Sequence, residues 1–226
     1  MRVFLLLLAL FGGSTAPLSA AETYDLLFRK GALSGLPASP PPAAGEEGRD
    51  ILVYDRIVSP LKKDESGDTD TIGLQLTSDD NAALILHRGP QMRMIGTFPA
   101  SVGNPLIMYF LETAVADIAK QSGGSPFYMR NRIKEALLKD AEIVPVSVRI
   151  GDRDIAARQV TIRPFAEDKA RGQMGRFAEL ALAVTVSQDV PGWYYSLKAS
   201  VPEGSTPADI GYSNAITLTQ GGNAKP

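Results

Sequence analysis

Residues 104–138 read NPLIMYFLETAVADIAKQSGGSPFYMRNRIKEALL, the one long helical pattern in the chain, with strand-like sequence on both sides. Asn104-Pro105 and Ser125-Pro126 each set a side-chain acceptor ahead of a proline suited to the first helical position, so two helices are expected. In the first, Leu106, Ile107, Phe110, Leu111, Ala114, Val115 and Ile118 recur every three or four residues, while Glu112, Asp117, Lys120 and Gln121 fall mainly off that stripe. Ser122-Gly123-Gly124 ends it, because glycine tolerates the left-handed backbone that follows a helix. The second helix spans Pro126 to Leu138, with Met129, Ile133, Ala136 and Leu137 on one side and Arg130, Arg132 and Lys134 off it. Neither helix is long enough to be stable alone in water, so both must lie on something apolar.

Outward from this pair, the sequence alternates with period two. Before it, Ile72, Leu74 and Leu76, then Leu84 and Leu86, then Met92 and Met94 are separated by the turn residues Asp79-Asp80-Asn81 and Gly89-Pro90. After it come Val144 to Ile150, the turn Gly151-Asp152, Arg158 to Ile162, Leu180 to Val186, Trp193 to Val201, and Ile216 with Leu218. Thr23–Arg29 and Ile51–Val58 read as the first two strands. The expected fold class is mainly β with an α insert (α+β): one curved antiparallel sheet, or half-barrel, of about 9–10 strands covered by the central helical pair. Any gap between cover and sheet would form an apolar cavity suited to a small ligand.

Met1 to Ala21 reads as a signal peptide: Arg2 carries the charge, Val3–Phe11 the apolar run, and Ser19-Ala20-Ala21 the small-residue cleavage site. Residues 22–226 are expected to form a single exported domain, with flexible loops at 35–48 and 59–70 and a disordered tail at 220–226. No later segment has the apolar length of a spanning helix, so an integral membrane protein is not expected. The absence of cysteine excludes disulfides, thiolate metal sites and a cysteine nucleophile, and suits a bacterial periplasm. With 23 basic against 25 acidic side chains, the net charge of −2 suggests no nucleic-acid partner.

Chemistry-bearing residues are sparse. His87, the only histidine, sits at a strand end in a sequence without a Gly-x-Ser-x-Gly turn, and reads as a surface or satisfied core histidine. A hydrolase would have to use it, which makes that the minority reading. Asp68, Asp70, Gly73 and Asp79 imitate a calcium-loop spacing, but Ile72 breaks it, and a solvated acidic loop is the simpler account. No cofactor, metal site or catalytic residue is expected. Arg130, Arg132 and Lys134 could meet an anionic head group or an acidic partner, or form the wet side of a helix. Met92, Met94, Met108, Phe110, Leu111 and Met129, with Trp193 and Tyr195, are the candidate lining of a ligand cavity; core packing explains the methionines and Phe110 equally well. Trp193 and Tyr195 would point inward and Tyr194 toward more polar surroundings.

The passages Asn104-Pro105-Leu106-Ile107-Met108-Tyr109-Phe110-Leu111-Glu112 and Val190-Pro191-Gly192-Trp193-Tyr194-Tyr195-Ser196-Leu197 stand within a layout of β meander, helical insert and returning meander. That layout resembles the LolA/LolB-like periplasmic carriers and related exported bacterial envelope proteins. The resemblance implies a half-barrel holding an acyl chain or other amphiphile between sheet and helices. The function expected is a non-enzymatic periplasmic binding or carrier protein for a lipid-like ligand; the alternative is an envelope structural or assembly factor working through protein contacts.

Overall fold

Period-two alternation becomes nine strands of one antiparallel, curved sheet, and the 3.6-residue periodicity becomes the helices that cover it. The computed structural model describes residues 20–40, 48–61, 63, 66–139, 141–206 and 210–221. In chain order the elements are α1 (Ala20–Leu27), β1 (Leu52–Ser59), β2 (Asp68–Leu76), β3 (Asn81–Arg88), β4 (Gln91–Pro99), α2 (Leu106–Ser122), α3 (Pro126–Leu137), β5 (Glu142–Ile150), β6 (Arg153–Ile162), β7 (Ala181–Val186), β8 (Tyr194–Val201) and β9 (Tyr212–Gly221). The order across the sheet is β4-β3-β2-β1-β9-β8-β7-β6-β5. Two meanders therefore meet where the last strand lies beside the first, and the helical insert joins the two outer edges.

Register explains which side the helices cover. Val160, Val184, Leu197 and Ile216 are directly opposite one another across four strands, and the row continues into Arg56 and Asp70. All six are buried. Facing them, Leu106, Ile107, Phe110, Leu111, Ala114, Val115 and Ile118 of α2 and Met129, Ile133 and Leu137 of α3 are buried in the same apolar cluster. Those are the residues whose spacing announced the helices, apart from the half-buried Ala136.

The caps follow the sequence with one refinement. The Asn104 side-chain oxygen accepts the Leu106 N–H at 3.0 Å, while its amide donates to the Gly192 carbonyl at 2.9 Å, so one residue both starts α2 and ties it to the β7–β8 turn. Ser125 precedes Pro126 at the start of α3, and its backbone carbonyl, rather than its hydroxyl, takes the Met129 N–H. Gly123 closes α2 in the left-handed conformation.

Three expectations meet a different outcome or fall elsewhere. Thr23–Arg29 is not a strand: residues 20–27 are helical. Thr23, Leu26 and Leu27 are the buried positions, a three-to-four spacing, whereas a strand would have buried Tyr24, Leu26 and Phe28. Such a short helix does not persist alone. It is held by neighbours, with Arg158 paired to Glu22 at 3.0 Å and the Ala141 N–H bonded to the Thr23 hydroxyl at 3.2 Å. The acidic segment expected to be a loop through Asp70 is strand from Asp68 onward, because the Asp70 carboxylate is drawn inside by Arg56 at 2.9 Å and Arg88 at 2.7 Å. Ser39 bonds through its backbone and hydroxyl to Leu76, which pins the start of the expected 35–48 loop. The central part of that loop (41–47), residues 1–19 of the expected signal peptide, residues 62, 64 and 65, and residues 222–226 of the expected tail lie outside the described residues, while residues 220 and 221 of that tail end β9.

Candidate functional site

The site is built where three chain segments converge at one end of α2. Tyr24 and Phe28 lie one turn apart on α1 and its extension, stacked with ring centroids 4.7 Å apart. Arg29 and Lys30 follow immediately. Opposite them, Phe98 and Pro99 end β4, a short turn carries Val102 and Gly103, and α2 begins with Ile107 and Met108 facing the same space. Together with Tyr194 these segments enclose an apolar groove of about 320 Å³. Tyr24 (47 %), Val102 (67 %) and Met108 (48 %) remain open to solvent along it. Large apolar side chains left exposed side by side, rather than singly, mark a surface that meets something else.

Hydrogen bonding holds the groove wall in place. The last turn of a helix leaves carbonyl oxygens without partners, and on α1 two of them are met by aromatic donors. The Trp193 indole N–H donates to Leu26 O at 2.8 Å, and the buried Tyr194 hydroxyl donates to Leu27 O at 2.5 Å. Burial pushes the Tyr194 hydroxyl far above its ordinary titration range, so it stays a donor. Burial does the same to Tyr54, whose oxygen accepts from the Asn104 amide at 3.3 Å. Gly103 has φ 135° and its α-carbon lies so close to the Arg29 carbonyl that an added Cβ would stand 2.7 Å from that oxygen. No other residue suits that position.

These contacts also correct the assignment of the aromatic triplet. Tyr194 is the inward residue, 1 % exposed, while Trp193 and Tyr195 are partly buried. Trp193 adopts φ 78°, and the β7–β8 register shifts between Thr185 and Val186, so the expected alternation slips by one residue.

The other expected cavity residues are not brought together. Met92 and Met94 lie opposite His87 and Ile85 on β3, on the sheet face away from the helices, and Met94 is 63 % exposed. Phe110, Leu111 and Met129 are buried in the closed core. Met108 alone reaches the groove. Two of the three expected anion-contact residues are engaged within the protein. Arg130 makes paired bonds to Glu112 at 2.9 and 2.7 Å, and its guanidinium holds the Glu112 carboxyl below its usual range. Arg132 pairs with Glu135 and lies 3.5 Å from Asp168, whereas Lys134 sits in the last turn of α3. A polar depression of about 270 Å³ between α3 and the turn after β6 has its cations answered likewise, Lys139 by Glu167 and Arg163 by Glu142.

His87 bonds to Asp50 at 2.8 Å, and Gln75 donates to the same carboxylate at 2.8 Å. The pair anchors the segment before β1 over Gly73, whose missing side chain leaves room for the Asp50 carboxylate. It is a satisfied histidine in a structural contact. The groove residues Tyr24, Phe28, Arg29 and Lys30 were missed in the sequence because α1 reads as a strand, and Val102 because it lies in the turn between β4 and α2. The signal that could have found them is the aromatic pair at i and i+4.

No family model and no curated protein sequence matches this chain. Among solved structures the chain is similar to a LolA superfamily protein from Nitrosomonas europaea, at 10 % identity, covering 92 % of this chain and 96 % of that one with a TM-score of 0.23. The resemblance is weak and concerns overall layout alone. Among the described residues no helix is long and apolar enough to cross a membrane.

Proposed function

We propose that this is a non-enzymatic binding or carrier protein that takes one apolar chain of a lipid-like molecule into the groove between α1, the end of β4 and the start of α2. The observation that carries this is an apolar groove of about 320 Å³ with three large side chains left open along it. Its size lies at the lower end of the range of small-molecule sites, which suits a single chain rather than a two-chain lipid. Each methylene withdrawn from water contributes about 0.8 kcal/mol, so about eight buried methylenes give roughly 6 kcal/mol and a Kd of tens of micromolar. The signal-like first 21 residues support a periplasmic setting for this activity.

The test is retention. Purified protein mixed with a bacterial lipid extract and examined by native mass spectrometry retains a single-chain amphiphile, and Phe28→Asp abolishes retention without lowering Tm by more than a few degrees. Nothing retained by the unaltered protein contradicts the proposal. The second reading, an envelope assembly factor, draws on Phe127, which is 70 % exposed at the start of α3. In that case Phe127→Ser, and not Phe28→Asp, disrupts the protein's contacts.

A further inference from the structure

Among the side chains that line the groove, Tyr194 and Asn104 have their polar groups already spent. Tyr194 gives its hydroxyl to Leu27 O, and Asn104 uses both ends of its amide on Leu106, Gly192 and Tyr54. What remains is the Tyr24 hydroxyl and two cations, Arg29 and Lys30, all three residues exposed, and no carboxylate lines the groove with them. This sets the groove apart from the polar depression beside α3, where basic side chains meet acidic ones within the protein. Arg29 instead rests on the ring of Trp193, 5.3 Å from its centroid. A cation on an aromatic face is held by about 0.5–1 kcal/mol at an exposed site, much less than a paired bond to an anion contributes. The guanidinium is therefore parked on Trp193 rather than committed there.

The bland account is that two cations follow α1 because a helix C-terminus favours positive charge. That account weakens here, since α1 is only eight residues long and the carbonyls of Leu26 and Leu27 are already taken by Trp193 and Tyr194. The same capping removes the partial negative charge that would otherwise repel an anion at this end of the groove.

We infer that the groove selects amphiphiles with an anionic head group, a carboxylate or a phosphate monoester, with Arg29 leaving the Trp193 ring to bind it and Lys30 adding a second charge. The inference rests on the proposed chain-binding role of the same groove. Because Trp193 is the only tryptophan, its emission reports the movement of Arg29 directly.

The experiment is a titration of the full protein with four probes that share a twelve-carbon chain, each below its solubility limit or critical micelle concentration: dodecanoate, dodecyl phosphate, dodecanol and dodecyltrimethylammonium. Binding is read by Trp193 emission and, independently, by equilibrium dialysis. The expected result is that the two anionic probes bind about tenfold or more tighter than the neutral one and that the cationic probe binds weakest. The better of the two anions identifies the head group. The double variant Arg29→Gln with Lys30→Gln removes the preference and leaves dodecanol binding in place, while Arg29→Lys keeps part of it. Equal affinity for all four probes, or a dodecanoate preference untouched by the double variant, overturns the head-group inference and leaves chain binding intact. Binding of none overturns both.

Discussion

The two ends of the space beneath α2 dispose of their polar groups in opposite ways. At the far end, the apolar row across the C-terminal strands runs into Arg56 and Asp70, and carboxylates are answered within the protein: Asp70 takes Arg56 and Arg88, while Asp117 of α2 accepts from the neutral donors Tyr212 at 2.7 Å and Asn214 at 3.1 Å. The atoms left over there, Arg56 Nε and Asn214 Oδ1, are buried inside the structure. At the near end the backbone is the part that is satisfied, by Asn104, Trp193 and Tyr194, while apolar side chains and two cations face outward. One end is a finished joint that fixes α2 on the sheet. The other is a surface awaiting a chain.

Four measurements break or sharpen this contrast. The largest effect falls at the far end: Asp70→Ala leaves Arg56 buried without its counter-ion and lowers stability by about 3–5 kcal/mol in urea unfolding. A loss under about 1 kcal/mol would mean that the joint is not what fixes α2. Next, Tyr194→Phe strands the Leu27 carbonyl and costs about 1–3 kcal/mol. Because α1 loosens, it also weakens dodecanoate binding, which Asp70→Ala does not do in its folded fraction. If both variants alter binding equally, the ends are coupled rather than distinct.

The third measurement uses pH. The hydrogen bond and charge of Arg88 hold the Asp70 carboxyl below its usual range, so the pair's contribution is complete above the unfolded carboxylate pKa of about 3.9. It is lost as pH falls from there through the depressed folded-state value, because the unfolded chain binds the proton first. Unfolding midpoints therefore hold between pH 7 and 5 as far as this pair is concerned, then drop below about pH 4. Asp70→Asn removes that part of the acid limb, and an unchanged acid limb contradicts the assignment. The smallest effect is expected from Met94→Ser on the opposite sheet face, within about 0.5 kcal/mol and with binding unchanged. Lost binding there would move the site to the sheet face away from the helices.

Much of the fold is legible in the sequence because its periodicities are locally consistent. The α2 and α3 stripes match the residues that are buried, with Ala136 half-buried, and nine of the strand patterns become the nine strands. What fails does so for tertiary reasons. Thr23–Arg29 contains enough apolar residues to read either way, and contacts from Arg158, Trp193 and Tyr194, each more than a hundred residues away, select helix. Asp70 looks like a solvated loop residue because its counter-ions, Arg56 and Arg88, lie on neighbouring strands. The groove was illegible for the same reason. Its wall comes from three segments that no local pattern connects, whereas the methionines, visible in sequence, divide between the core, the groove rim and the opposite face.

The most direct test of the central claim is where a bound chain lies. Photo-crosslinking with a twelve-carbon carboxylate bearing a diazirine near its methyl end, followed by peptide mapping, should label residues 24–30 and 98–108. Label concentrated on residues 91–95, on the other face of the sheet, or no specific label at saturating probe, would contradict the account.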